Sequence, residues 1–438
     1  MQTHFTLAQL ADPDIQAAND ILRKCVHCGF CTATCPTYVI HGDELDSPRG
    51  RIYLMKQAFE GGEGATARLA KHLDRCLTCL SCMTTCPASV DYMHLVDHGR
   101  AFVEKTYKRP WHDAALRRVL SLVLPYPNVF RLSLLFAAMG KPFRGLMPAR
   151  LKAMLDLAPT NPPSPSSVDV PQVFPAEGTR RKRVVLMMGC AQKVLRPSIN
   201  EATVRLLTRH GCDVIIPKGA GCCGALVHHL GRDADSHAAA KRNIAAWEHA
   251  AAEHGDIDAI VINASGCGTT VKDYGWMLRL EDGWAERATA AATKTKDVTE
   301  LMLELGVTPR RHADLPRIAY HSACSMQHGQ NLKTEPVQLL RNAGFDVAEP
   351  AEKHLCCGSA GTYNIMQPDW AGKLRSRKVG NLRSLNAAAV VTGNIGCLTQ
   401  IAGGLDDDRD PPVLHTVEIL DWVTGGRLPE GLAAHTGS

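Results

Sequence analysis

The amino-acid sequence predicts a multidomain α+β protein, in which a helical, cysteine-rich N-terminal domain and a linker precede a duplicated α/β domain with parallel strands. Two runs of four closely spaced cysteines lie within residues 25–86. Beyond residue 183, short apolar runs alternate with helix-like segments, which is typical of α/β folds. The same order of runs then occurs a second time, which indicates a repeat.

Composition excludes several classes of protein. The chain has 438 residues, of which 45% are hydrophobic, so we expect two or three separately packed cores. Its 49 basic and 44 acidic residues leave a net charge of +5, which gives no indication of a nucleic-acid-binding surface. The 17 cysteines are an odd number, and the N-terminal residues carry no export signal. We therefore expect a cytoplasmic protein whose thiols are reduced and bind metal.

The N-terminal domain is predicted over residues 14–100. It begins with a helix at 14–24, where apolar residues share one face. Between the two cysteine runs, a polar turn precedes a second helix that starts at about Arg51 and ends at Gly61 and Gly62.

A helical extension is predicted over residues 101–158. Its most apolar stretch, 119–139, is interrupted by Pro125 and Pro127, so it is a poor candidate for a transmembrane helix. Two short apolar helices of this kind either cover a core or lie at a membrane surface, and the first use is the commoner. We therefore expect them to pack against a core. Residues 159–182 are rich in proline and serine, which predicts an extended linker.

The two cysteine runs carry the strongest chemical signal. CVHCGFCTATCP and CLTCLSCMTTCP both have the spacing C-x2-C-x2-C-x3-C-P. This spacing is typical of proteins with two [4Fe-4S] clusters, where the fourth cysteine of each run binds the cluster of the other run. It predicts one cluster on Cys25, Cys28, Cys31 and Cys86, and a second cluster on Cys76, Cys79, Cys82 and Cys35. A pair of zinc sites is the alternative, although structural zinc usually takes paired cysteines with a longer gap.

Crossed ligation has consequences for the fold of this domain. Because the clusters tie two distant loops together, the domain should fold poorly without them. Gly29, beside Cys28, allows a tight loop that leaves backbone N–H groups free to bond sulfur.

The C-terminal half is a tandem repeat. Its two units are predicted over residues 183–306 and 307–425. Cys190 and Cys324 lie 134 positions apart, as do Cys222 and Cys356, which chance does not explain. The helix that closes the first unit is predicted to start at a cap formed by Asp297 and Glu300.

Each unit carries four cysteines at matching positions. They are Cys190, Cys222, Cys223 and Cys267 in the first unit and Cys324, Cys356, Cys357 and Cys397 in the second. Because they follow predicted strands, the thiols should meet at the carboxyl ends of parallel strands, where open α/β sheets place their ligand sites. Three functions fit this arrangement: a further iron–sulfur cluster, a redox-active thiol pair, or a substrate site made of thiolates. Inert buried cysteines fit less well, since the adjacent pair occurs in both units.

Other residues near these thiols are weaker candidates. Four histidines lie close to them in sequence: His228, His229, His321 and His354. Each is a candidate ligand or proton donor, although an isolated histidine more often has a structural role. Cys212 has no counterpart in the second unit, where Phe345 takes its place, and is predicted to be a core residue.

Together, these residues resemble the iron–sulfur subunit of bacterial glycolate oxidase, within the wider group of proteins with two cysteine-rich CCG domains. The stretches ILRKCVHCGFCTATCPTY, GDELDSPRGRIYLMKQ and DRCLTCLSCMTTCP carry the resemblance in the N-terminal half, and two Cys-Cys-Gly units follow. The fold that this implies is an α-helical bis-[4Fe-4S] ferredoxin-like domain followed by a duplicated α/β CCG-type domain. The resemblance covers nearly the whole chain.

The resemblance implies a division of labour between subunits. FAD-binding flavoprotein subunits would oxidise glycolate to glyoxylate, and this subunit would pass the electrons toward a membrane acceptor such as quinone. No G-x-G-x-x-G lies between a strand and a helix, so we expect no flavin in this chain. We expect it to be peripheral on the inner face of the cytoplasmic membrane. Three roles fit Arg49 and Arg51. They could dock the flavoprotein, offset the charge of a reduced cluster, or form ordinary surface ion pairs.

One departure and several alternatives qualify this interpretation. Relatives of the heterodisulfide reductase type carry a fifth cysteine where this chain has Thr270 and Gln400, which argues against their non-cubane cluster. The alternatives within the same class are the iron–sulfur subunit of anaerobic glycerol-3-phosphate dehydrogenase and that of a lactate-oxidising system. Alternatives of other classes are a CCG-type thiol–disulfide reductase and a structural scaffold without iron.

Overall fold

Short helices surround both cysteine runs in the computed structural model, which describes residues 1–311, 315–406 and 409–432. The helices of this N-terminal domain are α1 (Leu7–Leu10), α2 (Pro13–Lys24), α3 (Phe30–Thr34), α4 (Pro36–His41), α5 (Pro48–Gly61), α6 (Ala67–Asp74), α7 (Ser81–Thr85) and α8 (Tyr92–Thr106). A 3₁₀ turn, Glu44–Asp46, joins α4 to α5.

Local capping explains the limits of the two helices that the sequence predicts in this domain. Helix α2 is capped by Asp12, whose carboxylate accepts hydrogen bonds from two backbone N–H groups of the first turn. Helix α5 is capped by Ser47 and ends at Gly62, where φ is 68°. It starts earlier than the predicted Arg51, because Pro48 suits the first position of a helix.

The helical extension consists of α9 (Trp111–Val123), α10 (Pro127–Gly140) and α11 (Ala149–Leu157). The chain breaks between α9 and α10 at the two prolines, as predicted. The expectation that this stretch packs against a core is wrong for many of its apolar residues. Leu120, Phe130 and Leu134 are buried, whereas Leu122, Leu132, Leu135, Phe136 and Met139 are exposed. Apolar spacing indicates a helix but not which surface covers it.

None of the helices in the described part of the chain is long and apolar enough to cross a membrane. This agrees with the expectation from the proline-interrupted stretch 119–139.

Two sheets form the C-terminal half. The first contains β1 (Gln172–Phe174), β2 (Lys182–Met187), β3 (Cys212–Ile216), β4 (Ala259–Ile262) and β5 (Thr295–Asp297), in the order β1-β3-β2-β4-β5. The second contains β6 (Ile318–Tyr320), β7 (Val347–Ala348), β8 (Ala389–Thr392) and β9 (Val413–His415), in the order β7-β6-β8-β9. All pairs are parallel except that of β1 with β3. The strands β2–β5 and β6–β9 therefore repeat one topology, which confirms the predicted duplication.

Helices connect these strands. In the first repeat they are α12 (Gln192–Leu195), α13 (Ser198–Arg209), α14 (Ala225–His229), α15 (Asp233–His254), α16 (Ser265–Lys272), α17 (Tyr274–Met277), α18 (Ala285–Lys294) and α19 (Val298–Leu305). In the second they are α20 (Glu335–Asn342), α21 (Tyr363–Met366), α22 (Pro368–Arg383), α23 (Ile395–Ala402) and α24 (Thr416–Val423). Helix α19 carries the predicted cap, because Asp297 and Glu300 bond reciprocally to backbone N–H groups.

The structure differs from the predicted linker in one segment, and part of the predicted second unit lies outside the described residues. Within the predicted linker 159–182, residues Gln172–Phe174 form the edge strand β1, since three residues are too short for a strand pattern to show in the sequence. The predicted second unit, 307–425, includes residues 312–314 and 407–408, which lie outside the described residues.

Candidate metal centres

Three cysteines of the first run and two of the second run line a pocket of the N-terminal domain. Cys25, Cys28, Cys31, Cys82 and Cys86 surround about 450 Å³ of empty space. The rest of the wall is mainly apolar, and Cys28 is exposed to solvent. Apart from Cys82, these are the cysteines that the motif assigns to one cluster.

A second pocket of about 300 Å³ lies beside the first. It is lined by Cys35, Cys76, Cys79 and Cys82. Cys35 comes from the first run and joins three cysteines of the second run, as crossed ligation requires. Cys82 and Tyr92 line both pockets, so the two spaces are immediate neighbours.

The two cysteine loops share one backbone geometry that points their thiols inward. His27 and Gly29 have positive φ values of 56° and 87°, and the matching residues Thr78 and Leu80 have values of 50° and 61°. Side chains other than glycine rarely adopt this conformation, and such strain is commonly found at functional sites. The convergent thiols, apolar walls and tight loops together fit iron–sulfur clusters.

Arg51 lies inside the domain beside the second pocket. Its side chain is 1% exposed, and its Nη1 atom lies 3.9 Å from the Cys35 Sγ atom. Its Nε atom donates to the His72 carbonyl at 2.7 Å, and its Nη2 atom lies 3.5 Å from the Asp46 carboxylate. A buried side chain cannot meet a partner protein, so docking is excluded for Arg51 and its charge acts on the second pocket.

Arg49 has a different environment. Its side chain is partly exposed and its Nε atom lies 2.5 Å from the Glu44 carboxylate. A Cβ atom at Gly29 would lie 2.6 Å from the Arg49 Nη1 atom, but this end of a flexible side chain can move, so glycine is favoured there by its φ of 87° rather than by space.

Buried charges affect ionisation of the thiols in the second pocket. Burial opposes ionisation of Cys76, but the positive charges of Arg51 and Arg100 outweigh it and lower the pKa of Cys76 below its ordinary value. Burial raises the pKa of Cys79 and Cys82 well above that value. Because thiolates are the form that binds iron, the positive charges favour loading of this pocket.

Two residues of α8 that touch this pocket were missed by the sequence analysis. The Arg100 Nη2 atom donates to the Cys76 carbonyl at 2.7 Å, and the Tyr92 hydroxyl lies 3.7 Å from the Cys76 Sγ atom. Both follow the second cysteine run at a distance that the motif does not include, so no local signal marks them.

The structure also brings together the four cysteines of each repeat, beyond the carboxyl ends of the strands. In the first repeat, thiol contacts link Cys190 to Cys222, then Cys223, then Cys267. In the second repeat, the Sγ atoms of Cys324 and Cys356 are 3.7 Å apart, and contacts continue to Cys357 and Cys397. The two groups are therefore arranged alike.

The glycine of each Cys-Cys-Gly triplet shapes these thiol groups. Gly224 and Gly358 have φ values of 89° and 92°. Their N–H groups lie 3.5 Å from the Cys222 Sγ atom and 3.4 Å from the Cys356 Sγ atom, respectively. Only glycine adopts this conformation without strain while its N–H donates to the sulfur of the cysteine two residues earlier.

The positions of the absent fifth cysteines hold no sulfur ligand. Thr270 donates its hydroxyl hydrogen to the Gly266 carbonyl, and the buried Gln400 donates to the Ala371 carbonyl. Cys212 is fully buried in β3 within the hydrophobic core, as predicted.

The structure separates the four candidate histidines. His321 is buried, and one of its ring nitrogens lies within 4.8 Å of the Sγ atoms of Cys357 and Cys397. His228 instead contacts the N-terminal domain, with its Nε2 atom 3.2 Å from the Asp97 carboxylate. His229 neighbours His228, and His354 is half-buried beside a loop.

The second repeat packs directly against the second pocket. Cys79 and Cys356 belong to one buried cluster, which also contains Trp370. Trp370 stacks on His41 with ring centroids 3.5 Å apart, and Arg75 lies 4.6 Å from the Trp370 ring centroid. The thiols of the second repeat therefore lie next to those of the second pocket, which sequence reasoning could not foresee.

Comparisons with known proteins agree with this architecture. Residues 21–90 match the family described as 4Fe-4S dicluster domain, and residues 184–272 and 318–402 each match the family described as cysteine-rich domain. The glycolate oxidase iron–sulfur subunit of Escherichia coli is 42% identical over 422 residues, which cover 96% of this chain and 98% of that protein. The chain belongs to the glycolate oxidase iron–sulfur subunit family. As a member of that family, it is an iron–sulfur protein.

Further similarities extend this comparison. The probable glycolate oxidase iron–sulfur subunit of Bacillus subtilis is 32% identical over 91% of this chain and 93% of that protein. Lactate utilization protein A of Bacillus subtilis is 28% identical over 55% of this chain and 99% of that protein. A solved structure of a hypothetical protein from Helicobacter pylori has a TM-score of 0.52 at 11% identity, and covers 96% of this chain and 78% of that chain. This last similarity concerns the fold alone.

Proposed function

We propose that this chain is the electron-transfer subunit of a glycolate (2-hydroxy-acid) dehydrogenase complex, receiving electrons from an FAD-binding partner flavoprotein and passing them toward a membrane quinone. The observation that carries this proposal is the pair of adjoining pockets, the first lined by five cysteines and the second by four, with both cysteine runs contributing to each pocket. Two adjacent clusters form a conductor rather than a catalytic site. The substrate is suggested by the names of the Escherichia coli and Bacillus subtilis relatives.

The proposed ligands follow the two pockets. One cluster would be held by Cys25, Cys28, Cys31 and Cys86, and the other by Cys76, Cys79, Cys82 and Cys35. When bound, each cluster takes up and gives back single electrons. The protein positions the thiolates, surrounds the second pocket with buried residues that exclude water, and supplies positive charge there through Arg51.

The exposure of the first pocket suggests where electrons are exchanged with a partner. Cys28 is exposed, and the neighbouring apolar residues Val26, Phe30 and Tyr53 are exposed as well. The second pocket is covered by the second repeat. The side of the domain that carries Cys28 is therefore the proposed contact for the flavoprotein, because electron transfer requires a close approach to the cluster.

Anaerobic purification, iron and sulfide counting, and EPR of the dithionite-reduced chain test this function. About eight iron atoms and two interacting cluster signals are expected from the N-terminal domain. Adding glycolate to the complex with its flavoprotein subunits should produce the same signals without dithionite. Little iron, or zinc in its place, would contradict the proposal.

A lactate-oxidising complex is a second candidate, which the similarity to lactate utilization protein A favours. Anaerobic glycerol-3-phosphate dehydrogenase remains a third. The flavoprotein that co-purifies, and the donor that reduces the clusters, distinguish the three.

A thiol–disulfide reductase would use the thiol groups of the repeats directly, without a partner. That function requires disulfide turnover by the purified chain, which a Cys356→Ser substitution would abolish while the N-terminal clusters stay intact. The electron-transfer proposal predicts no such turnover in the parent protein.

A further inference from the structure

The second repeat contains a histidine that has no counterpart in the first. His321 directly follows β6, and the matching residue 134 positions earlier is Met187, the last residue of β2. His321 is 1% exposed, and within the described residues neither of its ring nitrogens has a hydrogen-bond partner. Buried polar groups nearly always have a hydrogen-bond or metal partner. We therefore expect the His321 ring to bind a group that is not part of the protein.

Two thiols lie close to the His321 ring. A ring nitrogen of His321 and the Sγ atoms of Cys357 and Cys397 all lie within 4.8 Å of one another. All three residues are buried. Two donors on one tetrahedral zinc ion are about 3.5 Å apart, so these three atoms reach a single ion with small movements.

The spacing distinguishes this group from the cluster cysteines. In the described parts of the chain, no three of the eight N-terminal cysteines come within 4.8 Å of one another. A cubane distributes its thiolates over different irons and needs them apart, whereas a single ion draws its ligands together. Mixed nitrogen and thiolate ligands are those that zinc prefers.

The surroundings also suit a site with thiolate ligands. The buried ammonium group of Lys378 is close enough to Cys356, Cys357 and Cys397 to interact with their charges. A positive charge of this kind favours the thiolate form of these cysteines, which is the form that binds a metal ion.

We propose that the second repeat binds a single zinc ion through His321, Cys357 and Cys397, and that the first repeat, with Met187, does not. Cys79 of the second pocket and Cys356 pack in one cluster, so the ion would lie against the electron-transfer domain. All three ligands belong to the second repeat, so zinc, which has no redox chemistry, would stabilise that repeat rather than carry electrons. This proposal goes beyond the electron-transfer function.

Metal analysis of the full-length chain, purified anaerobically, tests the proposal. The parent should hold about one zinc ion per chain besides its iron, and zinc K-edge X-ray absorption should show mixed nitrogen and sulfur ligands. Cys397→Ser should lose the zinc and keep its iron, whereas the matched change in the first repeat, Cys267→Ser, should keep both. His321→Ala and Met187→Ala form a second matched pair.

Three results would overturn the zinc proposal. They are a parent without stoichiometric zinc, equal loss of zinc from both cysteine variants, and iron in place of zinc at the second repeat. The absorption spectrum of the parent decides the ligand set even where a variant fails to fold.

A second inference comes from the helical extension, whose apolar side is open to solvent. The exposed residues of this extension face are Trp111, Leu122, Tyr126, Leu132, Leu135, Phe136, Met139, Phe143, Leu146 and Leu151. Large apolar side chains exposed in this number on one segment are typical of an interaction site.

The charge of the extension is predominantly basic. Residues 111–157 contain seven lysines and arginines and two acidic residues, Asp113 and Asp156. Asp113 pairs with Arg117 and Arg150, and Asp156 pairs with Arg144. Arg118 and Lys152 are exposed among the apolar residues. Apolar side chains next to basic ones are typical of helices that lie in the interface of an anionic membrane.

We infer that the extension face binds the surface of an anionic bilayer. This inference rests on the proposed membrane acceptor, and it would bring the clusters close to that acceptor. The test mixes the purified full-length chain with phosphatidylcholine vesicles, with and without about 30% phosphatidylglycerol, and measures sedimentation of the protein. No substrate or flavoprotein is present, so the result is independent of electron transfer.

Binding should require the anionic lipid and weaken as salt increases. The double variant Leu135→Asp, Phe136→Asp should lose at least about tenfold in affinity, whereas Leu280→Asp, at an exposed leucine of the first repeat, should not. Absence of vesicle binding would overturn the inference while leaving the electron-transfer proposal standing. The inference would also be overturned if the double variant lost binding to the flavoprotein and kept binding to the vesicles.

Discussion

The guanidinium of Arg51 lies 3.9 Å from the Cys35 thiol, in a part of the N-terminal domain that water does not reach. Asp46 neutralises part of this charge, with His72 and Arg75 as its other partners. The second pocket therefore has a fixed positive charge at its wall, and the first pocket has no buried arginine among its described lining residues.

This charge should raise the reduction potential of the second cluster. Replacing Arg51 by Gln should lower that potential by on the order of 100 mV, since a reduced cluster loses an attraction that low-dielectric surroundings strengthen. Redox titration followed by EPR measures the change. Arg51→Lys keeps the charge and should keep most of the potential. If the Lys and Gln variants shift equally, the effect is structural and the electrostatic explanation is wrong.

Crossed ligation can be tested with matched pairs of cysteine variants. Cys35→Ser and Cys76→Ser should weaken the same EPR signal, because both residues line the second pocket. Cys86→Ser and Cys25→Ser should weaken the other signal. If Cys35→Ser instead affected the signal that Cys25→Ser affects, each run would hold its own cluster.

The contact between the N-terminal domain and the first repeat should depend on pH. Burial lowers the pKa of His94, but hydrogen bonds and charges of Asp273 and Asp91 outweigh it and raise this pKa to about 9. Because the unfolded value is lower, charged His94 stabilises the folded chain fully below about pH 6.5, and this contribution is lost as the pH rises through about 9. Its size is up to about 3 kcal/mol.

Urea unfolding of the parent and of His94→Gln, at pH 6 and pH 9.5, measures this contribution. The parent should lose more stability than the variant over this range. His249→Gln, at an exposed position, is the control and should behave as the parent does. Equal pH dependence in all three proteins would exclude His94 as the cause.

The glycine of the second Cys-Cys-Gly triplet should tolerate no side chain. Gly358→Ala places a Cβ atom 2.7 Å from the Ala371 carbonyl oxygen at a φ of 92°, which should cost about 1–3 kcal/mol of folding free energy. Gly380→Ala, within α22 and with open space around it, should be neutral or slightly stabilising. Thermal unfolding compares the two, and equal melting temperatures would refute the argument.

The sequence predicted those features that depend on residues close together in the chain. The cysteine spacing indicates two clusters with crossed ligands, and each pocket contains all four cysteines of one predicted set, although Cys82 lines both pockets. Internal similarity predicted the duplication, because both halves must satisfy the same strand and helix pattern. The helix cap formed by Asp297 and Glu300 was also predictable, because these two residues lie three positions apart in the sequence.

Other features were decided by which surfaces meet in the folded chain. The sequence could not show that Arg51 is buried beside Cys35, or that Cys79 lies with Cys356, since these contacts join segments far apart in sequence. It also led to the wrong environment for the apolar stretch 119–139, which the structure leaves largely exposed. Local periodicity determines which face of a helix is apolar, but only tertiary packing determines what covers that face.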